Sequence, residues 1–214
     1  MTTIRVFARP LPLALLAFAL LAVGCVGQLS QPSPSKRYYT LNPIRDGVPL
    51  SVRPLPSRLK IRRLTASASF DSRELVYKLD DGGFVTDYYH LFLAPPVDQA
   101  TQAMTRWFRD AKIFDVVLPP ASGTESLYIL ETSMDELYAD YSVDPPEAVV
   151  RLHAILMRDD GMEFFVEMDR AYTRRAVVEG QGAPAVVRSM EQALAAIFRE
   201  LEQDVFEEIA ASGR

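Results

Sequence analysis

Two stretches of alternating apolar and polar side chains, joined by a turn signal, constrain the fold of this 214-residue chain more than any other feature. In residues 148–157, small and aliphatic side chains at the even positions alternate with a set that includes Arg151 and His153. Asp159-Asp160-Gly161 follows, a combination typical of hairpin turns, and residues 164–173 alternate again. Because successive side chains of a strand point to opposite faces, this pattern indicates an antiparallel sheet that is covered on one side only.

Two other segments carry the three-and-four spacing of a buried helical face. The first opens at Pro95-Pro96, and the second follows Pro184, with Glu202 among the carboxylates expected to face water. The sequence therefore predicts an α+β fold, in which two main helices pack on one face of a largely antiparallel sheet. A loop is predicted over residues 43–57, and further strands over residues 38–41, 59–64, 74–79, 84–89, 114–118 and 126–134.

The N-terminal 24 residues are typical of a secretory signal peptide. Arg5 and Arg9 precede residues 11–23, which are apolar apart from one proline. A helix of this length spans about 20 Å, which is too short for a hydrocarbon core about 30 Å thick. Small residues then lead to Gly24 and Cys25, the only cysteine in the chain.

The segment LAVGC at residues 21–25 resembles the bacterial lipobox, in which small residues precede an obligatory cysteine. The resemblance implies cleavage between Gly24 and Cys25 and a covalent diacylglyceryl and N-acyl lipid on Cys25, with no other cofactor. In Gram-negative lipoproteins an aspartate at the next position favours the inner membrane. Val26 stands there instead, which implies the inner leaflet of the outer membrane, facing the periplasm. The alternatives are an ordinary secreted protein with an incidental cysteine and an uncleaved anchor.

The chain therefore divides into three predicted parts. Residues 1–24 are the lipoprotein signal peptide, and residues 25–36 are the lipidated cysteine with a flexible tether. The tether is polar and contains Pro32 and Pro34, a composition that favours an extended chain. Residues 37–214 form a single α+β domain.

The charge balance argues against nucleic acid as a partner. The net charge is −5, and removal of residues 1–24 leaves 21 basic and 28 acidic side chains, which is −7. Binding of nucleic acid depends on neutralising phosphates, so an acidic domain is poorly suited to it. One basic concentration stands against this background, comprising Arg58, Lys60, Arg62, Arg63 and Arg73.

This basic concentration has two interpretations. Charged side chains on a strand edge block pairing with strands of other molecules. The first four residues, Arg58, Lys60, Arg62 and Arg63, are alternatively candidate contacts for an acidic protein partner or for lipid headgroups. Six tyrosines could also enrich an interface, although no site is assigned to them: Tyr38, Tyr39, Tyr88, Tyr89, Tyr138 and Tyr141.

No catalytic or metal-binding residue is predicted. The two histidines, His90 and His153, lack the spacing of metal ligands, and neither a nucleophile elbow nor a phosphate-binding loop occurs. His90 is expected to hydrogen-bond or pack, with proton transfer or metal binding as the alternative, and His153 is expected to face solvent. A solvated loop, or alternatively a calcium site, is expected for four carboxylates: Asp135, Glu136, Asp140 and Asp144.

Four segments in a fixed order resemble the ABC-type transport auxiliary lipoprotein family, which includes the lipoprotein of the Pqi system. They are YYTL at residues 38–41, FDSRELVY at 70–77, YYHLFLAPP at 88–96 and IFDVV at 113–117. The resemblance covers roughly residues 36–210.

This resemblance implies a non-enzymatic role in lipid transport between membranes. The expected partner is an MCE-domain protein of an inner-membrane ABC or integral transporter, which bridges the periplasm. The lipoprotein would dock that bridge at the outer membrane, and the resemblance permits a homo-oligomer. The alternative is a structural or assembly lipoprotein of the outer membrane without a role in lipid transport.

Overall fold

The computed structural model describes residues 35–50 and 54–212. The predicted signal peptide, Cys25 and the predicted tether, apart from Ser35 and Lys36, lie outside the described residues. The described residues from Lys36 onward form one compact unit. Its described part contains nine strands and two helices: β1 (Arg37–Tyr39), β2 (Leu55–Ile61), β3 (Thr65–Ala66), β4 (Glu74–Lys78), β5 (Phe84–Phe92), α1 (Pro96–Ala111), β6 (Phe114–Leu118), β7 (Tyr128–Asp140), β8 (Glu147–Asp159), β9 (Phe164–Val177) and α2 (Gly182–Ser212).

The long strand β7 organises the sheet. Along one edge it pairs antiparallel with β8, and β8 pairs antiparallel with β9. Along the other edge, the short strands β2, β3 and β4 follow one another, each parallel to β7. β6 extends the sheet beyond β2, and β5 and then β1 extend it beyond β4. The parallel ladders are short and the antiparallel ones long, so the predicted largely antiparallel sheet is confirmed.

Both helices pack on the same face of this sheet. α1 lies against β6 and β2, whereas α2 lies against β9, β8 and β7. The even-numbered side chains of β8 from Ala148 to Leu156 are buried between sheet and helices, which confirms the alternation in the sequence. Where the helices meet, the rings of Trp107 and Phe198 pack edge to face with their centroids 5.5 Å apart. Burial of such aromatic and aliphatic side chains is the main stabilising contribution to the fold.

Two irregularities explain why some predicted strand ends were wrong. β2 starts at Leu55, inside the predicted loop, because a register shift between Leu55 and Arg58 accommodates Pro56. β7 continues to Asp140, well beyond the predicted end, with a register shift between Met134 and Glu136. Such a bulge interrupts the alternation of side chains, so the sequence pattern breaks although the strand does not.

One prediction about α2 was also wrong. Glu202 was expected to face water, but only 3% of the residue is exposed. Its carboxylate accepts hydrogen bonds from Arg45 Nε at 2.9 Å, from Arg45 Nη2 at 2.6 Å and from Trp107 Nε1 at 2.5 Å. The buried charge is therefore paired and hydrogen-bonded, which is the condition for burying a carboxylate.

Candidate partner-binding surface

The sheet face opposite the helices carries the charged side chains of the central strands, and we call it the open face. The alternation that buries Leu59, Ala154 and Leu156 on the helical side places their neighbours here. A small apolar cluster of Val76, Tyr138 and Val149 occupies one end. The central part is formed by Arg58 and Lys60 of β2, Arg62 just after it, Glu131 and Ser133 of β7, and Arg151, His153 and Ile155 of β8.

The four basic residues singled out in the sequence do not form one uniform patch. Arg62 forms an ion pair with Glu131, and Arg63 Nε lies 2.5 Å from Asp98 Oδ1 on α1. This carboxylate raises the pKa of Arg63 through its hydrogen bond and its charge. Both cations are thereby locally neutralised.

The other two basic residues keep their charge available. Arg58 donates to the carbonyl oxygen of Glu125 at 3.3 Å, which leaves its positive charge without a carboxylate partner among the described residues. Lys60 likewise forms no ion pair with any of the described residues. Arg58 and Lys60 are two positions apart on β2, on either side of the buried Leu59, so both side chains project from the open face.

A cavity of about 310 Å³ lies on the open face between residues 62–65, β7 and β8. Arg62, Glu131, Ser133 and His153 are among the residues that line it. His153 Nε2 lies 2.5 Å from Asp169 Oδ1 on β9. His153 is half-exposed, in agreement with the solvent-facing position expected of it. It also contacts Asp169 on the neighbouring strand.

Ser133 and His153 are directly paired on β7 and β8, and Asp169 lies diagonally across from His153 on β9. This arrangement invites comparison with a catalytic triad. In such a triad the histidine accepts the hydrogen bond of the serine. Here the Ser133 hydroxyl donates instead to Asp135 Oδ1 at 2.9 Å. The serine is therefore not activated by His153 in this arrangement.

His90 belongs to a polar network at an irregularity in β5. Asp87 accepts from the backbone N–H groups of Tyr89 and His90 and from the hydroxyl of Tyr77, and its other contact is His90 Nδ1 at 2.7 Å. Burial raises the pKa of Asp87, but these hydrogen bonds outweigh it and hold the pKa below its usual range. Desolvation, together with the Asp87 charge, raises the pKa of Tyr77. His90 therefore has the hydrogen-bonding role expected of it.

The prediction of a solvated loop for Asp135, Glu136, Asp140 and Asp144 was wrong for the first three, because they belong to β7. Asp140 departs from it most. This residue ends β7 and is 2% exposed. It accepts hydrogen bonds from the Ser142 hydroxyl and backbone N–H, with Lys78 Nζ and Arg175 Nη1 each 3.6 Å from Oδ2. Burial raises the pKa of Asp140, but the Ser142 hydrogen bonds and the Lys78 charge lower it to a greater extent.

Metal-binding clusters and membrane-spanning helices are both absent from the described residues. Within residues 35–50 and 54–212, no group of three or more histidine, cysteine or acidic side chains is placed to hold a metal ion. In that same part of the chain, no helix combines the length and apolarity needed to cross a membrane.

These features define an α+β domain in which two helices pack on one face of an open sheet and the other face presents charged side chains. The sequence then identifies the family. The chain belongs to the family of the ABC-type transport auxiliary lipoprotein component, whose model matches residues 39–202. Membership implies a lipoprotein anchored to a membrane of the cell envelope, in a family of transport components rather than enzymes. No curated protein matches this sequence.

Solved structures share the fold. Protein XCC0632 from Xanthomonas campestris, of family DUF330, is similar with a TM-score of 0.70 and 20% identity, covering 83% of this chain and 99% of that one. The hypothetical protein CT253 from Chlamydia trachomatis has a TM-score of 0.56 and 8% identity, covering 73% of this chain and 99% of its own. At these identities the likeness concerns the fold alone.

Proposed function

We propose that this protein is the outer-membrane lipoprotein of an MCE-type transport system that moves phospholipid between the membranes of the envelope. It is anchored through Cys25 to the inner leaflet of the outer membrane, faces the periplasm and docks the MCE bridge there. The observation that carries this proposal is the family match over residues 39–202. The apolar segment that ends at the single cysteine supports the anchor.

Two of the four predicted contact residues, Arg58 and Lys60, are better supported than the other two. Arg62 and Arg63 are neutralised by Glu131 and Asp98, whereas Arg58 and Lys60 keep their charge. Charge complementarity across an interface mainly sets orientation and association rate. We therefore assign the contact with the MCE protein to Arg58 and Lys60 on the open face.

Charge reversal tests this assignment. The double variant Arg58→Glu/Lys60→Glu should reduce co-purification with the MCE protein after mild crosslinking in the native envelope. Added salt should weaken the wild-type complex in the same direction, because it screens exposed charges. The matched control is Arg109→Glu/Arg188→Glu, which makes the same change in net charge at exposed positions of α1 and α2.

The outcomes separate the contact from the function. If the two double variants co-purify equal amounts of the MCE protein, Arg58 and Lys60 are not the contact. The proposed transport function would not be affected by that result. A wild-type protein that never crosslinks to an MCE component would refute the transport role and favour a structural or assembly lipoprotein.

The anchor has a separate test. Mass spectrometry of the mature N-terminus should find Cys25 with a diacylglyceryl group and an N-acyl chain. Cys25→Ser should accumulate as a precursor that no longer fractionates with the outer membrane. Residues 1–24 still attached to the wild-type protein would contradict the anchor.

A further inference from the structure

The edge of the sheet formed by β1 and β5 presents exposed aromatic and aliphatic side chains beside cations that have no ion-pair partner among the described residues. Tyr38 is 52% exposed, Tyr88 66% and Leu93 59%. We call this region the β1–β5 corner; it comprises Lys36, Arg37, Tyr38, Arg73, Tyr88, Tyr89 and Leu93.

The corner is built by the irregularity in β5. Between the paired residues Thr86 and Leu91, the chain bulges out of register with β4. Asp87 holds this bulge from the inside through its four hydrogen-bonding contacts. Tyr88 and Tyr89 lie on the bulge with their rings in edge-to-face contact, 5.1 Å between centroids. The aromatic rings are therefore presented outward by a defined backbone conformation.

Cations accompany these rings. Lys36 Nζ lies 4.2 Å from the centroid of the Tyr88 ring, and the guanidinium of Arg73 lies 5.5 Å from that of Tyr38. Arg73 is held in place by its hydrogen bond to the carbonyl oxygen of Phe92 at 2.9 Å. Within the described residues, neither these two cations nor Arg37 forms an ion pair. The corner is therefore locally basic on an acidic protein.

The position of the corner in the chain suggests what covers it. β1 is the first strand, and its neighbour Lys36 is eleven residues from Cys25. A fully extended chain of this length spans at most about 40 Å. A lipid on Cys25 would thus keep Lys36 close to the bilayer surface, where even a weak contact is favoured by the high local concentration.

We propose that the β1–β5 corner docks on the anionic phospholipid headgroups of the membrane that holds the lipid anchor. Tyrosine side chains suit the headgroup region of a membrane, because the ring is apolar and the hydroxyl can form hydrogen bonds with water. The cations of Lys36, Arg37 and Arg73 are attracted to anionic headgroups. Docking turns this corner towards the membrane and fixes the direction in which the open face points. The inference rests on the anchor that is part of the proposed function.

Tryptophan reporters test the docking in the full lipidated protein. Trp107 is the only tryptophan and is buried, so it supplies a constant background. Tyr88→Trp places a reporter in the corner, and the matched control Phe164→Trp places one at a similarly exposed position, 59% against 66%, on the opposite edge strand β9. Each protein is reconstituted into vesicles of phosphatidylcholine and phosphatidylglycerol whose acyl chains carry bromine near the headgroup.

The Tyr88→Trp emission should be quenched and shifted to shorter wavelength, whereas that of Phe164→Trp should stay unquenched. Lys36→Gln and Arg37→Gln should each lower the ratio of docked to undocked protein about fivefold, because that is the factor which one basic side chain near an anionic surface contributes to the binding equilibrium. Vesicles without phosphatidylglycerol should also lower it. Tyr38→Trp is the second reporter if Tyr88→Trp fails to fold.

Equal quenching at positions 88 and 164, or none at either position, would overturn the docking. Quenching that does not depend on phosphatidylglycerol would overturn the role of the cations. Mass spectrometry verifies the lipid on Cys25 beforehand, so a negative result counts against the docking alone. Crosslinking to the MCE protein is measured separately and tests the proposed function.

Discussion

The hydrogen-bonded group of Arg45, Glu202 and Trp107 allows a quantitative test of how the domain is held together. Arg45 belongs to the segment before β2 and also donates to the carbonyl oxygens of Gly47 at 3.1 Å and Val48 at 2.9 Å. It thus ties this segment to α2, while Trp107 ties α1 to the same carboxylate. The side chains of Arg45 and Glu202 are only 10% and 4% exposed.

Removal of one partner should be costly. Arg45→Met leaves the Glu202 carboxylate buried without its counter-charge, and breaking a buried pair in this way costs about 3–5 kcal/mol. The double variant Arg45→Met/Glu202→Leu removes both charges and leaves only the indole N–H of Trp107 without an acceptor, at about 1–3 kcal/mol. We therefore expect the double variant to be more stable than the single one.

The measurement is the free energy of unfolding of the full chain, from urea titrations followed by far-ultraviolet circular dichroism. The matched control is Arg199→Met, because Arg199 and Asp46 join the same two segments at 3.8 Å with side chains 55% and 80% exposed. An exposed pair contributes below about 1 kcal/mol. If Arg45→Met costs no more than Arg199→Met, or if the double variant is less stable than Arg45→Met, the reasoning is wrong.

Three further predictions concern a turn, a buried acid and the histidines. Gly161 has φ +87°, and a Cβ there meets nothing within 4 Å; Gly161→Ala should therefore cost about 1–2 kcal/mol of backbone strain in urea titrations, and Gly123→Ala, without a positive φ, should cost nothing. The pKa of Asp140 is lowered in the folded state, so its contribution to stability is present above its unfolded pKa and is lost as pH falls through the folded pKa. Asp140→Asn should therefore flatten the acid limb of a stability–pH curve, and an unchanged slope would contradict the assignment. His90→Gln/His153→Gln should preserve the transport phenotype if the protein folds, and loss of transport in a folded double variant would reveal a chemical role.

The sequence was sufficient to predict the two-layer architecture. Side chains of β8 and of both helices follow periods of two and of three to four residues, and these periods are set by local backbone geometry. Their apolar members are the ones that the structure buries. The family and the predicted anchor also come from local patterns, because a processing signal or a family motif is a short run of residues.

Only the tertiary structure decided the strand order. β2, β3 and β4 all pair parallel with β7, although β5, α1 and β6 intervene in the chain. Parallel neighbours need a long crossover connection, and no local pattern states which distant strand a segment will join. The bulges in β2, β5 and β7 likewise depend on the partner strand.

The charged residues show most clearly which features the local sequence predicts and which depend on tertiary contacts. The sequence identified the basic side chains of residues 58–63 as candidates. Which of them remain unpaired among the described residues depends on Glu131, 69 residues from Arg62, and on Asp98, 35 residues from Arg63. Glu202 appears solvent-facing in a helical pattern because the pattern contains no information about Arg45, 157 residues earlier. Periodicity is a property of neighbouring residues, whereas the pairing of charges depends on contacts between segments that are distant in the chain, and these form only when the domain folds.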